Sequence, residues 1–219
     1  MSARDDILGR VRAALGRHHI DAATVRQAAD ALLQAPASIR PELPAGSLVD
    51  AFVARVTSPK VAASAERIAS LADLPAAVAA YLQQQELPAA VAVQPHPDLA
   101  ALDWTGFALH PRVAADEAVA VGLARAGIAE TGSLVFHSSP QSPVLSNFLP
   151  LHHIVALRNA DIVGHLEDYA AAIAGQPMPR NLNLITGASG TTDIEGSLVL
   201  GAHGPRYLHV VIVEDLPTA

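Results

Sequence analysis

Cysteine is absent from this 219-residue chain. Its absence excludes a disulfide framework, a catalytic thiol, a cysteine-ligated zinc and any iron–sulfur cluster held by this chain alone. Lysine is almost as scarce, since Lys60 is the only one among 14 basic residues. Basic residues cluster nowhere except in the short stripe of Arg10, Arg12 and Arg17, and the formal net charge is −7. Polyanion binding needs a concentrated basic face, so no nucleic-acid partner is expected. Charged residues make up only 16% of the chain and aromatics 4%.

Long apolar runs are missing as well, despite 51% hydrophobic residues and a mean hydropathy of +0.29. Alanine supplies most of that excess. Stretches such as Pro75–Leu82 and Leu149–Leu157 are broken by Pro, His or Arg. They end well before the roughly 18 residues a membrane helix requires, so no membrane span is expected. The start, Met1–Arg17, carries Asp5 and Asp6 and lacks an apolar core ahead of a cleavage site, so it does not read as a signal peptide. A soluble cytoplasmic protein is the expectation.

What is present falls into two textures. Ser2 caps a first helix with Asp5 and Asp6 in its positive first turn, and Ile7, Val11 and Leu15 line one face. Gly16 ends it. Asp21 opens a second helix carrying Val25, Ala29, Leu32 and Leu33, followed by a stiff connector with Pro36, Pro41 and Pro44. Residues 1–45 form this helical segment and connector, too short for a core of their own, and dock on the main domain or on a partner. Leu48, Phe52 and Val56 suggest a third helix.

Residues 46–219 read as an α/β domain. Strands are expected at Val61–Ala63, Ala89–Val93, Val119–Leu123, Ser133–Phe136, Ile154–Leu157, Asn181–Thr186 and Leu208–Val213, with helices over Leu74–Gln85 and Ile162–Ala174. Short continuous apolar strands alternating with helices predict a mixed, largely parallel sheet with helices on both faces.

Ligands of open α/β sheets gather at the carboxyl ends of strands, and three polar stretches follow apolar strands here. The turn Ala129-Glu130-Thr131-Gly132 offers Glu130 as nucleophile, base or acceptor for a ligand hydroxyl, beside the hydroxyl of Thr131. A solvated turn explains it equally simply. The loop Thr186–Gly196 combines Gly187 and Gly190 with the hydroxyls of Ser189, Thr191 and Thr192 and the carboxylates of Asp193 and Glu195. Such a loop can cradle an anion, although it is neither a P-loop nor a dinucleotide fingerprint. A Ser/Thr/Asp cap on a short helix is the plain alternative. The third stretch, Gly201–Arg206, places His203 in a Gly/Pro turn, either as a ligand-binding or acid–base group with Arg206 as a cation or as a structural turn histidine.

His152 and His153 are adjacent, so on a strand they point to opposite faces and cannot ligate one ion. A metal drawn from His153, His203 and His209 has no supporting spacing motif, and none is expected. No Gly-x-Ser-x-Gly elbow is present, so a hydrolase triad has no sequence support.

These same stretches resemble the LUD-domain family of the lactate utilization protein C (LutC/YkgG) type. The likeness rests on Ile128-Ala129-Glu130-Thr131-Gly132-Ser133-Leu134-Val135, Leu149-Pro150-Leu151-His152-His153-Ile154-Val155 and Ser189-Gly190-Thr191-Thr192-Asp193-Ile194-Glu195. Gly201-Ala202-His203-Gly204-Pro205-Arg206 and Leu208-His209-Val210-Val211 complete it, and residues 7–17 resemble the family's opening helix. The resemblance implies a NagB/RpiA/CoA-transferase-like fold. It also implies a role in bacterial L-lactate utilization, beside partners that resemble iron–sulfur oxidoreductase subunits. Iron–sulfur clusters are then expected on those partners and no cofactor in this chain, which suits its lack of cysteine. The chain departs from the family pattern at Ala188 and Gly190, where a proline and a basic residue are usual, and at Thr192, where alanine is usual. Arg206 or Arg158 can supply the cation that Gly190 lacks.

The expected function is therefore a lactate-oxidising subunit in which the loop hydroxyls hold a small anionic ligand and Glu130 or His203 handles protons. A non-catalytic assembly or ligand-sensing subunit is the alternative, favoured by the amphipathic head. A CoA- or nucleotide-type enzyme is a third reading, by fold analogy alone.

Overall fold

A computed structural model describes residues 2–16, 21–34, 40–192 and 197–215. The elements run in the order α1 (Ala3–Ala14), α2 (Ala22–Gln34), α3 (Leu48–Val56), β1 (Ser64–Ile68), α4 (Leu74–Gln84), β2 (Ala90–Val93), α5 (Pro97–Ala100), β3 (Ala108–His110), β4 (Val119–Leu123), β5 (Ala126–Ile128) and β6 (Ser133–His137). The second half adds β7 (His152–Arg158), β8 (Ile162–Val163), α6 (Leu166–Ala172), β9 (Leu182–Ile185), β10 (Gly190–Thr192), β11 (Leu198–Leu200) and β12 (Tyr207–Val213). They fall into two compact units, Met1–Pro41 and Glu42–Ala219.

In the first unit, Ser2 and Asp5 form a reciprocal capping box at the start of α1, which satisfies two of the amides that a helix start leaves free. Its apolar residues stay open: Ile7, Val11 and Leu15 on and just beyond α1, and Val25, Leu32 and Leu33 on α2, are all exposed.

The second unit is built on a sheet of strand order β1-β12-β7-β4-β2-β3, every pair of which is parallel. The expected largely parallel sheet is thus present. Its strands are apolar throughout because both faces are covered. On β7, Ile154 and Ala156 join the side chains of α4 and α5, including Leu74, Val78, Leu82 and Leu99. The alternate residues Val155 and Leu157 pack with Phe52 and Val56 of α3 and with Leu134 and Phe136 of β6. That second face is shared between α3 and a smaller sheet, β8-β5-β6-β9. A separate hairpin pairs β10 with β11.

Three local expectations differ from the observed elements. Val61–Ala63 is a turn, with Ala62 at φ 56° and its N–H bonded to the Ser58 carbonyl; the strand begins at Ser64. Ile162 and Val163 pair in parallel with β5, so the helix expected from Ile162 starts only at Leu166. The edge of the smaller sheet captures these two apolar residues before the helix can. The sequence gives no sign of strands β3, β5, β10 and β11, each being only three residues long.

Candidate functional site

A cavity of about 650 Å³ opens at the carboxyl ends of β2, β4 and β7, where an open α/β sheet is expected to bind ligands. Gln94 leaves β2 and joins its walls. Its side-chain carbonyl accepts from the Leu123 N–H at 2.9 Å and its amide donates to the Gln141 carbonyl at 3.0 Å. Buried and fully engaged, it ties the exits of two strands to the loop 138–143.

Charge enters from two arginines. Arg158, the last residue of β7, donates to Asp98 at 2.9 Å and to Asp215 at 3.0 Å, so its cation is already compensated. Arg125 lies between β4 and β5 and donates to the Gln176 side chain at 3.2 Å. Among the described residues no carboxylate lies within ion-pair distance of it.

Three titratable groups line the same space. His137, at the end of β6, shares a 2.7 Å hydrogen bond with the Tyr169 hydroxyl on α6. Burial lowers its proton affinity and the Arg125 charge lowers it further, so it is a neutral imidazole at pH 7. Burial pushes the Asp161 carboxyl upward, while Arg158 and Arg125 pull it back. Burial likewise raises the Tyr169 hydroxyl. A cation beside the neutral His137–Tyr169 pair can bind a carboxylate while meeting a neighbouring hydroxyl or carbonyl.

Apart from Arg158, the described residues singled out in the sequence lie elsewhere. Glu130 accepts from the Leu166 N–H at 3.1 Å, capping the start of α6. Thr131 joins a hydroxyl chain through Ser133 at 2.7 Å to Thr186 at 2.6 Å. Ser189 and the 201–206 turn do come together: the Ser189 N–H donates to the Pro205 carbonyl at 2.8 Å and its carbonyl accepts from Gly201 at 2.9 Å. Thr191 sits in β10 opposite Val199. His203 and Arg206 are exposed, and Arg206 lies 5.5 Å over the Tyr207 ring. Asp193 and Glu195 lie outside the described residues. None of the described residues among these lines the strand-end cavity. The groups that do are Arg125 and Asp161 beside short strands, His137 at the end of β6 and Tyr169 within α6, and no motif marks them. The general rule of strand carboxyl ends was the one signal pointing to them.

Among the described residues no three His, Asp or Glu side chains stand close enough to hold a metal ion. No described helix is long and apolar enough to cross a membrane.

Residues 112–213, from the approach to β4 through the end of β12, match the family model of the LUD domain. This segment resembles a LUD domain. Over 119 residues the chain is 32% identical to lactate utilization protein C of Geobacillus thermodenitrificans, a match covering 51% of this chain and 50% of that protein. The uncharacterized protein YkgG of Escherichia coli K12 is 33% identical over 102 residues, 44% of each chain. The chain thus spans about half the length of the curated relatives it matches. A crystal structure of a DUF162 family protein from Deinococcus radiodurans superposes with a TM-score of 0.54 and 22% identity, over 76% of this chain and 96% of that one. That likeness concerns the fold. Arg125, His137, Asp161 and Tyr169 all lie within the matched segment, whereas Gln94, His96 and Asp98 reach the cavity from the chain ahead of it.

Proposed function

We propose that this chain is a cytoplasmic component of bacterial L-lactate utilization that acts beside iron–sulfur partner proteins and binds a small anionic ligand in its strand-end cavity. The observation that carries the reading is Arg125, a cation without a carboxylate partner among the described residues, at the wall of a cavity in a LUD domain. Relatives of that domain bear the name lactate utilization protein C. In this reading the guanidinium takes the ligand carboxylate and the His137–Tyr169 pair meets the hydroxyl or carbonyl on the next carbon. Electrons leave through partners, because this chain has no cysteine to hold a cluster.

Calorimetric titration of the purified chain with L-lactate and pyruvate tests it. Binding is expected to weaken tenfold or more in Arg125→Gln, about 1.4 kcal/mol, and to persist in Arg206→Gln. If Arg206→Gln abolishes binding and Arg125→Gln leaves it intact, the ligand sits in the 186–206 loops. A second reading, a non-catalytic assembly subunit, is favoured by the exposed apolar residues of α1 and α2. Failure of every small acid to bind, together with capture of a partner through residues 1–41, supports it.

A further inference from the structure

A second constellation lies at the opposite, amino ends of β1, β7 and β12. Parallel register sets Ser64 beside His209 and Tyr207 beside His152. Tyr81 of α4 stacks on His209, with ring centroids 4.6 Å apart and planes 30° apart. Its hydroxyl meets His152 Nδ1 at 2.9 Å, and His152 in turn stacks on Tyr207 at 4.4 Å. His209 is only 7% exposed, yet both its ring nitrogens are engaged. Ser64 Oγ lies 2.8 Å from Nδ1 and Glu66 Oε1 lies 3.0 Å from Nε2.

Chemistry decides how this relay is wired. A carboxylate can only accept, so Nε2 carries the proton that points at Glu66. In a neutral imidazole Nδ1 is then an acceptor, and the Ser64 hydroxyl must donate to it. That gives a serine hydrogen-bonded to a base, and a base held in its tautomer by a carboxylate. Such an arrangement is defined by the roles of the groups and not by which ring nitrogen serves which partner. Ser64 is exposed on the edge strand β1, while the stacked Tyr81 ring shields His209 and limits its reorientation.

We propose that Ser64, His209 and Glu66 form a nucleophilic site that accepts the acyl group of a carboxylic ester at the amino edge of the sheet. Ser64 Oγ forms a bond to the ester carbonyl carbon while its proton passes to His209 Nδ1. The carbon–oxygen bond to the leaving alcohol breaks, and His209 returns the proton to that oxygen. Water then attacks the acyl-serine with His209 again taking and returning a proton, releasing the acid and restoring Ser64. Glu66 stabilises the imidazolium at each transfer and stays ionised. This site owes nothing to the strand-end cavity or its ligand.

Reaction of the full chain with a fluorophosphonate ester, followed by peptide mass spectrometry, tests the assignment. The expected result is one adduct on Ser64, lost in Ser64→Ala and formed at least tenfold more slowly in Glu66→Gln. Both variants alter side chains that reach solvent, and both should keep the unfolding midpoint close to that of the parent chain. p-Nitrophenyl acetate should release one burst equivalent of nitrophenol per chain and leave an acetyl mass on the Ser64 peptide. No adduct at Ser64 while a serine esterase control is labelled overturns the proposal. So does an unchanged labelling rate in Glu66→Gln, or an adduct confined to another residue.

Discussion

Adjacent on β7, His152 and His153 stand on opposite faces of the six-stranded sheet and live in opposite chemistry. His152 shares a 2.9 Å hydrogen bond with the Tyr81 hydroxyl. His153 is fully buried, stacked at 5.8 Å on Phe136, and neither of its ring nitrogens has a hydrogen-bond partner among the described residues.

Burial pushes the His153 imidazole down from 6.5 to about 4. The unfolded chain titrates near the ordinary value, so below it the unfolded state binds more protons and gains on the folded one. The contribution of His153 is therefore fully present above about pH 6.5 and lost as pH falls toward about 4. A shift of this size corresponds to roughly 3 kcal/mol at most. His152 is lowered by burial too, and its effect has the same sign. Replacing His153 with Phe breaks no hydrogen bond to a described residue and should flatten the acid side of the curve. Urea midpoints between pH 4 and pH 8 check this; an unchanged slope in His153→Phe contradicts it.

Gly187 should tolerate no side chain. Its φ is 80°, in the region that costs an L-residue about 1 kcal/mol or more, and a Cβ there would land on the Val61 carbonyl oxygen. Backbone cannot move aside as a flexible side chain can. Gly187→Ala is expected to lose about 2–4 kcal/mol in denaturant unfolding, within the range of a backbone clash with strain. A loss below about 0.5 kcal/mol would show that the turn rebuilds.

Glu130 caps α6 through the Leu166 amide, and removing such a cap costs about 1 kcal/mol. Glu130→Ala should lower stability by that amount and leave anion binding in the strand-end cavity within twofold of the parent. Glu130→Gln keeps an acceptor oxygen and should recover most of the stability. Calorimetry on the two variants separates this role from catalysis; a collapse of binding in Glu130→Gln would assign the carboxylate to the ligand.

The parallel sheet was legible because its strands are runs of Val, Ile, Leu and Ala such as Val119–Val121 and Ile154–Leu157, separated by helical stretches. Sheets buried on both faces need that pattern. Strands of three residues, β3, β5, β10 and β11, carry too few side chains for a period to show. Expecting a ligand at strand carboxyl ends leads to the kind of place where the cavity lies, whereas loops rich in Ser, Thr and Gly lead to Glu130 and the 186–206 region. Arg125, His137 and Tyr169 lack any such signature. Each is one polar residue after or within an apolar segment.

The sequence alone determined that this chain has no thiol or disulfide and no cysteine with which to hold a cluster, that no apolar run is long enough for a membrane helix, and that the main domain is α/β with a mostly parallel sheet. Composition and local periodicity suffice for those conclusions, since each depends on residue types or near neighbours. Only the tertiary structure decided which side chains meet. Ser64 and His209 are 145 residues apart, and they touch because β1 and β12 pair in one parallel register. A slip of one residue in that register would turn His209 to the opposite face of the sheet.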